Sequence, residues 1–439
     1  MTANKVALND SYPGIKKSEF FFKKAKKIIP SVTQTLAKGP SQYVNGVAPK
    51  YLEKGKGCNV WDVDGNEFID FNMGIGPISL GYCYPLVDEA IKKQIDNGIT
   101  FSLMNPLEVE VSELISSTIP FAESVRFSKS GCDVTSAAVR VARAFTRRDK
   151  IITCGYHGWH DWTICTTSKN LGIPKVTQKL TSKFNYNDID SLINVIDNET
   201  AAVIMEPMLF EYPKEDFLQK VRDICNQYGT LLIFDEMWTG FRISPGGAQE
   251  YFNVRADLAT FSKAVANGMP LSVLSGRRDV MSLFDEQVWF YTTFGGECLS
   301  LAAAKATINE IKDKHVTIDL QEKGKILIDK LNHLFKEKNI SFLKCVGMGA
   351  RSILMINSNE HNPLLIKSLL QQELIKCGIL WQGMHSLSFS HKQEHVDYLV
   401  QCYEKALIYL SEALKSPNPD HFLKGEMVTP VFRTVTAKQ

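Results

Sequence analysis

Asp235 and Lys263 are the residues of this chain whose types and positions point most directly to covalent chemistry. Asp235 closes the apolar run Leu231-Leu232-Ile233-Phe234, and Lys263 follows Leu258-Ala259-Thr260-Phe261. Each therefore stands at the end of a short buried strand, 28 residues apart (263 − 235), about one strand–helix–strand unit. An amine so placed can form a Schiff base with an aldehyde, and a buried carboxylate can keep a pyridine nitrogen protonated. Those two roles together are what pyridoxal 5′-phosphate (PLP) chemistry requires. Either residue alone would mean little.

A phosphate-bearing cofactor also needs an anion site, best made of backbone N–H groups at a helix N-terminus. Ser128-Lys129-Ser130-Gly131-Cys132-Asp133 lies between the apolar stretch 125–127 and a helical pattern through Ala137 to Arg143. Gly131 admits close approach of an oxyanion, and Asp133 suits the first helical turn. The same turn could cap the helix without any ligand. Gly155-Tyr156-His157-Gly158 follows the strand-like 151–154, so Tyr156 falls where open α/β sheets bind ligands; its ring either faces a cofactor or caps the core. Glu206, in Met205-Glu206-Pro207, ends a third strand at the same edge, and either orients the site or lies in a turn.

The elements that must position these groups are legible in the hydropathy pattern. Helical segments at 85–97, 107–118 and 133–147 alternate with apolar strands at 124–127, 150–154, 201–205, 231–234, 258–261 and 271–275. Near-continuous apolar strands between helices predict a mostly parallel sheet covered on both faces. Before it, residues 16–29 form an amphipathic helix stopped by Pro30, and 51–71 form an antiparallel meander turning at Asp64-Gly65-Asn66. After about residue 300 a long helix begins, and strands such as 352–356 mix with helices as in an α+β lobe.

At 439 residues the chain is long enough for two domains. A net charge of +2 supports no nucleic-acid partner, and Lys23-Lys24-Ala25-Lys26-Lys27 reads as the solvated face of a helix. The ten cysteines form no CxxC pair, so neither a zinc site nor a disulfide framework is expected, and free thiols suit a reducing cytoplasm. Met1 to Asp10 is polar, without the apolar stretch of a signal peptide, and no run reaches the roughly 20 apolar residues of a membrane span.

Several short segments, in order along nearly the whole chain, resemble the class III (ω-type) aminotransferases of the fold type I PLP family. They are Trp61-Asp62-Val63-Asp64-Gly65, Ser130-Gly131-Cys132-Asp133, Tyr156-His157-Gly158, Glu206-Pro207, Phe234-Asp235-Glu236, Thr239-Gly240-Phe241-Arg242, Ser262-Lys263, Asn267-Gly268 and Thr293-Phe294-Gly295-Gly296. The resemblance implies an α/β fold. A seven-stranded, mostly parallel mixed sheet would occupy a large domain over 76–318, and a small α+β domain would be built from 1–75 and 319–439. It implies that Lys263 carries the PLP aldimine, that Asp235 pairs with the pyridine nitrogen, and that Gly131 and Cys132 give backbone donors to the phosphate. Tyr156 and Met237 would pack on opposite ring faces, with Glu206 beside them. Thr293 would reach the phosphate of the neighbouring subunit's cofactor, making a homodimer with shared active sites.

Within that family the chain resembles the branch holding glutamate-1-semialdehyde aminomutase, in the opening strands and in Gly276-Arg277-Arg278-Asp279-Val280-Met281. It departs from that branch at three substrate positions. Thr33-Gln34-Thr35-Leu36 replaces the loop bearing a carboxylate-binding arginine, Ile75 replaces a tryptophan before Gly76-Pro77, and a gating glutamate falls near Gly383. Cys132, Trp238 and Glu297-Cys298 depart near the cofactor without removing an essential role. The expected reaction is amino transfer from a donor such as glutamate to a carbonyl acceptor, a sugar or sugar-derived aldehyde or ketone. Ile75 is a candidate for facing it, and Trp159, Trp381, Gln382 and His385 either face it or serve the fold. An aminomutase or a racemase would use the same cofactor residues. A PLP-binding regulator would need a DNA-binding appendage, for which the N-terminal residues are too few.

Overall fold

The computed structural model describes residues 11–429, so the Met1 to Asp10 segment read above as polar lies outside the described residues. The described chain divides into two units. Residues up to Ile75, Ser79–Tyr84 and the chain from Asp319 onward form a terminal unit, and Gly76–Ile78 with Pro85–Ile318 form a central one. Ser79–Tyr84 thus groups with the terminal segments rather than with the residues around it.

The terminal unit opens with the helix Lys16–Ile28, which buries Phe22 and Ala25 and ends before Pro30. Three strands follow: β1 (Leu52–Lys56), β2 (Asn59–Asp62) and β3 (Glu67–Asp70), antiparallel in that order. The Asp62 carboxylate makes the turn between β2 and β3, accepting from the backbone N–H of Asp64 at 3.0 Å and of Asn66 at 2.8 Å.

The central unit is built on seven strands: β4 (Ser124–Ser128), β5 (Lys150–Cys154), β6 (Thr181–Lys183), β7 (Thr200–Met205), β8 (Leu231–Asp235), β9 (Leu258–Phe261) and β10 (Ser272–Gly276). Their order across the sheet is β4-β10-β9-β8-β7-β5-β6. β10 runs antiparallel to both its neighbours and the other pairings are parallel. The apolar runs follow from this, because each interior strand is buried on both faces. Ile233 joins Val134, Ala138 and Ile204 under the helix Gly131–Thr146, while its neighbours Leu232 and Phe234 join Phe217, Val221 and Cys225 on the other face. The edge strand β6 has no apolar run, which is why periodicity does not reveal it.

Beyond Asp319 the terminal unit resumes with β11 (Leu343–Met348), β12 (Arg351–Ile356), β13 (Ile379–Leu380) and β14 (Met384–Ser386). β11, β12 and β14 make a second, antiparallel sheet. β13 instead adds to the N-terminal meander, pairing in parallel with β3 through Ile379 and Ile69. Two residues are too short to show in a sequence pattern. Phe234 lies fully buried at the centre of the large sheet. Phe234→Ala is expected to cost about 3–5 kcal/mol through lost contacts and the cavity left behind. A urea titration of the purified protein would register it as a lowered midpoint.

Candidate active site

Five strands of the central sheet deliver the chemically suggestive residues to one edge. β4, β5, β7, β8 and β9 all run in the same direction, so their carboxyl ends lie together, where open α/β sheets bind ligands. Ser130 to Cys132 follow β4, Tyr156 follows β5, Glu206 follows β7, Asp235 ends β8 and Lys263 follows β9.

Asp235 is 1% exposed. One carboxylate oxygen takes the His157 ring at Nδ1, 2.7 Å away, and the other accepts from the Met237 N–H at 3.1 Å. His157 is itself buried, its carbonyl accepts from Thr135 Oγ1 at 2.9 Å, and its Nε2 is without a partner. A carboxyl group at the end of a fully buried strand is costly unless such bonds satisfy it. His157 thus orients the Asp235 carboxyl group, a contact hidden inside Tyr156-His157-Gly158 and visible only in three dimensions.

Above Asp235, Met237 reaches the turn that opens the helix Gly131–Thr146. A Cβ placed on Gly131 would lie 2.8 Å from Met237 Sδ, so the glycine is required for this approach. Ser130 caps the helix, its Oγ accepting from the Cys132 N–H at 3.2 Å, and Asp133 completes the capping box. The Cys132 N–H expected for a phosphate is therefore already shared with the cap. Asp133 also accepts from Ser128 Oγ at 2.7 Å, stiffening the turn.

Tyr156 keeps half its surface exposed, and its backbone N–H donates to Glu206 Oε1 at 2.9 Å, so Glu206 orients the tyrosine. Burial, then the nearby Cys132 and Asp235, raise the Tyr156 hydroxyl above its ordinary range, which keeps it a neutral flat ring. Lys263 adopts φ +45°, the left-handed region that non-glycine residues enter rarely. Its stem passes Gly76, where a Cβ would lie 3.8 Å from Lys263 Cδ.

Other expected residues fall elsewhere. Thr293 is exposed within 289–294, a segment whose carbonyls at Phe290 and Trp289 are held by Arg126 at 2.6 Å and Arg140 at 2.8 Å. Lys129 pairs with Glu297 at 2.8 Å, and Glu297 caps the helix Cys298–Asp313. That tie joins the turn after β4 to the segment bearing Thr293. Trp159 is 69% exposed and meets His160 edge-on. Trp238, placed by sequence near the cofactor, is buried with its indole N–H on the Met208 carbonyl at 3.1 Å.

Ile75, Trp381, Gln382 and His385 belong to the terminal unit. Ile75 has φ +71°, strained for a β-branched residue. His385, expected to face a substrate, is a core residue. It is 1% exposed, its Nδ1 bonds Ser352 Oγ at 3.1 Å and its Nε2 bonds the Tyr403 hydroxyl at 3.0 Å. Burial pushes its pKa down to about 3, and it stacks on the equally buried Trp381.

The donor set fits PLP: a held, buried carboxylate, a lysine just after the neighbouring strand, a capped helix N-terminus, and the side chains of Tyr156 and Met237. Among the described residues no cluster of three or more His, Cys, Asp or Glu could hold a metal, and no helix is long and apolar enough to cross a membrane.

Comparison with known proteins decides the family. The aminotransferase class-III model matches residues 43–407. The chain is a class III aminotransferase. It is 33% identical over 413 residues to the 3-aminobutyryl-CoA aminotransferase of Cloacimonas acidaminovorans, covering 91% of this chain and 98% of that protein. It is 35% identical over 424 residues to a glutamate-1-semialdehyde 2,1-aminomutase of Methanothermobacter thermautotrophicus, covering 89% and 99%. Among solved structures it is similar to a transaminase with PLP bound, with TM-score 0.85, 24% identity and coverage of 92% and 100%. It is similar also to a β-phenylalanine aminotransferase of Variovorax paradoxus, with TM-score 0.78, 25% identity and coverage of 90% and 94%. The fold is that of the fold type I PLP transaminases, and PLP is the cofactor of this class III enzyme.

Beside Asp235, Glu236 is fully buried and accepts from Thr239 Oγ1 at 2.8 Å and the N–H groups of Ala248 at 2.6 Å and Gln249 at 3.2 Å. Burial outweighs these bonds and raises its pKa from 4.5 to about 7. The folded state then holds this proton more tightly than the unfolded chain, so its stabilisation is complete below the unfolded value and is lost as pH rises to about 7. Glu236→Gln is expected to flatten the fall in urea midpoint across that window. An unchanged slope in the variant would show that Glu236 does not set it.

Proposed function

We propose that this class III aminotransferase moves an amino group from a donor, glutamate being preferred, to the carbonyl of a sugar or sugar-derived aldehyde or ketone, in two half-reactions on one site. The observation that carries this reading is the convergence of Asp235, Lys263, Tyr156 and the turn at Ser130-Gly131-Cys132 on one sheet edge. Bound PLP supplies an electron sink that acidifies the Cα–H of a substrate amine.

The protein's part is positioning and proton transfer. The N-terminus of the helix Gly131–Thr146 directs its dipole and the Gly131 N–H at the phosphate. Tyr156 and Met237 would flank the ring, and Asp235, oriented by His157, would face the pyridine nitrogen. Lys263 Nζ would hold the aldehyde end of the cofactor and would be the base that moves the substrate's Cα proton.

Exposed Trp289, Tyr291 and Phe294 around Thr293 support a homodimer in which Thr293 serves the neighbouring subunit's phosphate. The free cysteines suit a cytoplasmic location. A second reading, the intramolecular aminomutase reaction, is favoured by relatives such as the Methanothermobacter protein. Against it stand Thr33 to Leu36, Ile75 and Gly383 at that enzyme's substrate positions.

Adding L-glutamate to the holoenzyme should bleach the visible absorbance of the bound cofactor, and a carbonyl acceptor should restore it. Conversion of a single semialdehyde or diamino compound with no response to separate donors would favour the aminomutase instead. Lys263→Ala should abolish multiple turnover. Asp235→Asn should lower kcat by about 100-fold or more, because stabilisation of developing charge is lost. Turnover at wild-type rates in either variant would sink its assignment.

A further inference from the structure

A cavity of about 440 Å³, formed by the central unit alone, lies along the flank of the helix Gly131–Thr146. Its size falls within the roughly 300–1,000 Å³ of small-molecule sites. Ser136, Arg140 and Arg143 line it from the helix, at the i, i+4 and i+7 positions of one face. Trp159, His160, Asp161 and Trp162 line it from the segment after β5. Arg140 lies eight residues beyond Cys132 of the capped turn (140 − 132), about 12 Å of helix at 1.5 Å per residue. The cavity therefore runs away from the sheet edge that carries Asp235 and Lys263, and the proposed half-reactions use none of its residues.

Its walls are polar and held in place. Ser136 Oγ accepts from the Trp162 indole N–H at 2.9 Å and bonds His160 Nδ1 at 2.5 Å. The imidazole is thus fixed through one nitrogen, and Nε2 is the one left for a ligand. Arg140 Nη1 donates to the Trp289 carbonyl at 2.8 Å and Arg143 Nε to the Asp149 carbonyl at 2.9 Å. Those bonds orient both guanidinium groups and leave further N–H groups of each. Burial lowers the Arg143 guanidinium from its ordinary range, with Asp149 and Cys165 opposing it. Trp159 is 69% exposed and meets His160 edge-on at 4.8 Å, so most of its indole surface is open.

We propose that this cavity is a nucleotide site, taking a nucleoside monophosphate. The base stacks on the Trp159 indole, the phosphate lies between the Arg140 and Arg143 guanidinium groups, and the ribose hydroxyls bond His160 Nε2 and the Asp161 carboxylate. Two guanidinium groups against one carboxylate suit a phosphate, which their planar forks can grip at two oxygens. An open indole suits a base, because stacking on an aromatic side chain needs only a flat partner. The acid asks for a ligand that also donates, as a ribose does and a simple aromatic acid does not. The site goes beyond the amino-transfer reading and does not depend on which acceptor the enzyme takes.

The test uses PLP-loaded enzyme, so that the cofactor's own place is filled. AMP, GMP and UMP, their nucleosides and inorganic phosphate are titrated calorimetrically into wild type, Trp159→Ala and Arg143→Gln. At least one nucleotide should bind wild type once per subunit, at least about tenfold more tightly than its nucleoside or phosphate. It should bind each variant about tenfold more weakly, and it should quench tryptophan fluorescence more in wild type than in Trp159→Ala. Trp159 is on the surface, so Trp159→Ala is expected to keep the wild-type urea midpoint, and it carries the test if Arg143→Gln fails to fold. No nucleotide binding to wild type, phosphate binding as tight as the nucleotide, or binding that Trp159→Ala or folded Arg143→Gln leaves unchanged overturns the site.

Discussion

The structure of the central unit turns on satisfying one carboxyl group buried at the end of a sheet strand. Asp235 ends a strand whose five residues are all buried, where an unpaired polar group is costly. His157 and the Met237 N–H hold its two oxygens, and each support comes from a different element. His157 must leave β5 at a fixed angle, and Thr135 anchors its carbonyl from the helix Gly131–Thr146. The same helix opens at the capped turn Ser130-Gly131-Cys132. The Asp235 carboxyl and that turn are therefore positioned by one connected set of bonds, and neither can shift without straining the other.

Close packing around that set explains which residue types occur there. Gly131 is small because Met237 crosses it, and Gly158 is small because Cys132 lies where its Cβ would be. Glu236, next to Asp235, turns instead to the N-terminal turn of the helix Gly247–Phe252, so adjacent acids take different partners: His157 for Asp235, and the backbone of Ala248 and Gln249 for Glu236. Arg126, Lys129 and Arg140 reach across to 289–297 and fix the backbone on either side of Thr293.

In the terminal unit His385, Trp381 and Tyr403 pack as a buried cluster in which the His385 ring bonds the Tyr403 hydroxyl. Trp381 Nε1 and Gln382 Oε1 are buried without a hydrogen-bond partner among the described residues, whereas most buried polar groups are paired.

By itself the sequence determined the strand–helix alternation, the antiparallel meander, and the order of the residues that reach the sheet edge. Runs such as Leu231 to Phe234 and the glycine turns are local signals, set by burial on both faces and by backbone sterics. Short elements escaped it, because β6 and β13 carry three and two residues and owe their pairing to neighbours distant in the chain. Tertiary structure alone decided the partners: His157 on Asp235, Glu206 on the Tyr156 backbone, and Glu297 on Lys129. Those facts depend on side chains meeting across separations of tens to more than a hundred residues. Hydrogen bonds and desolvation act on distance in space, and no pattern along the chain encodes that distance.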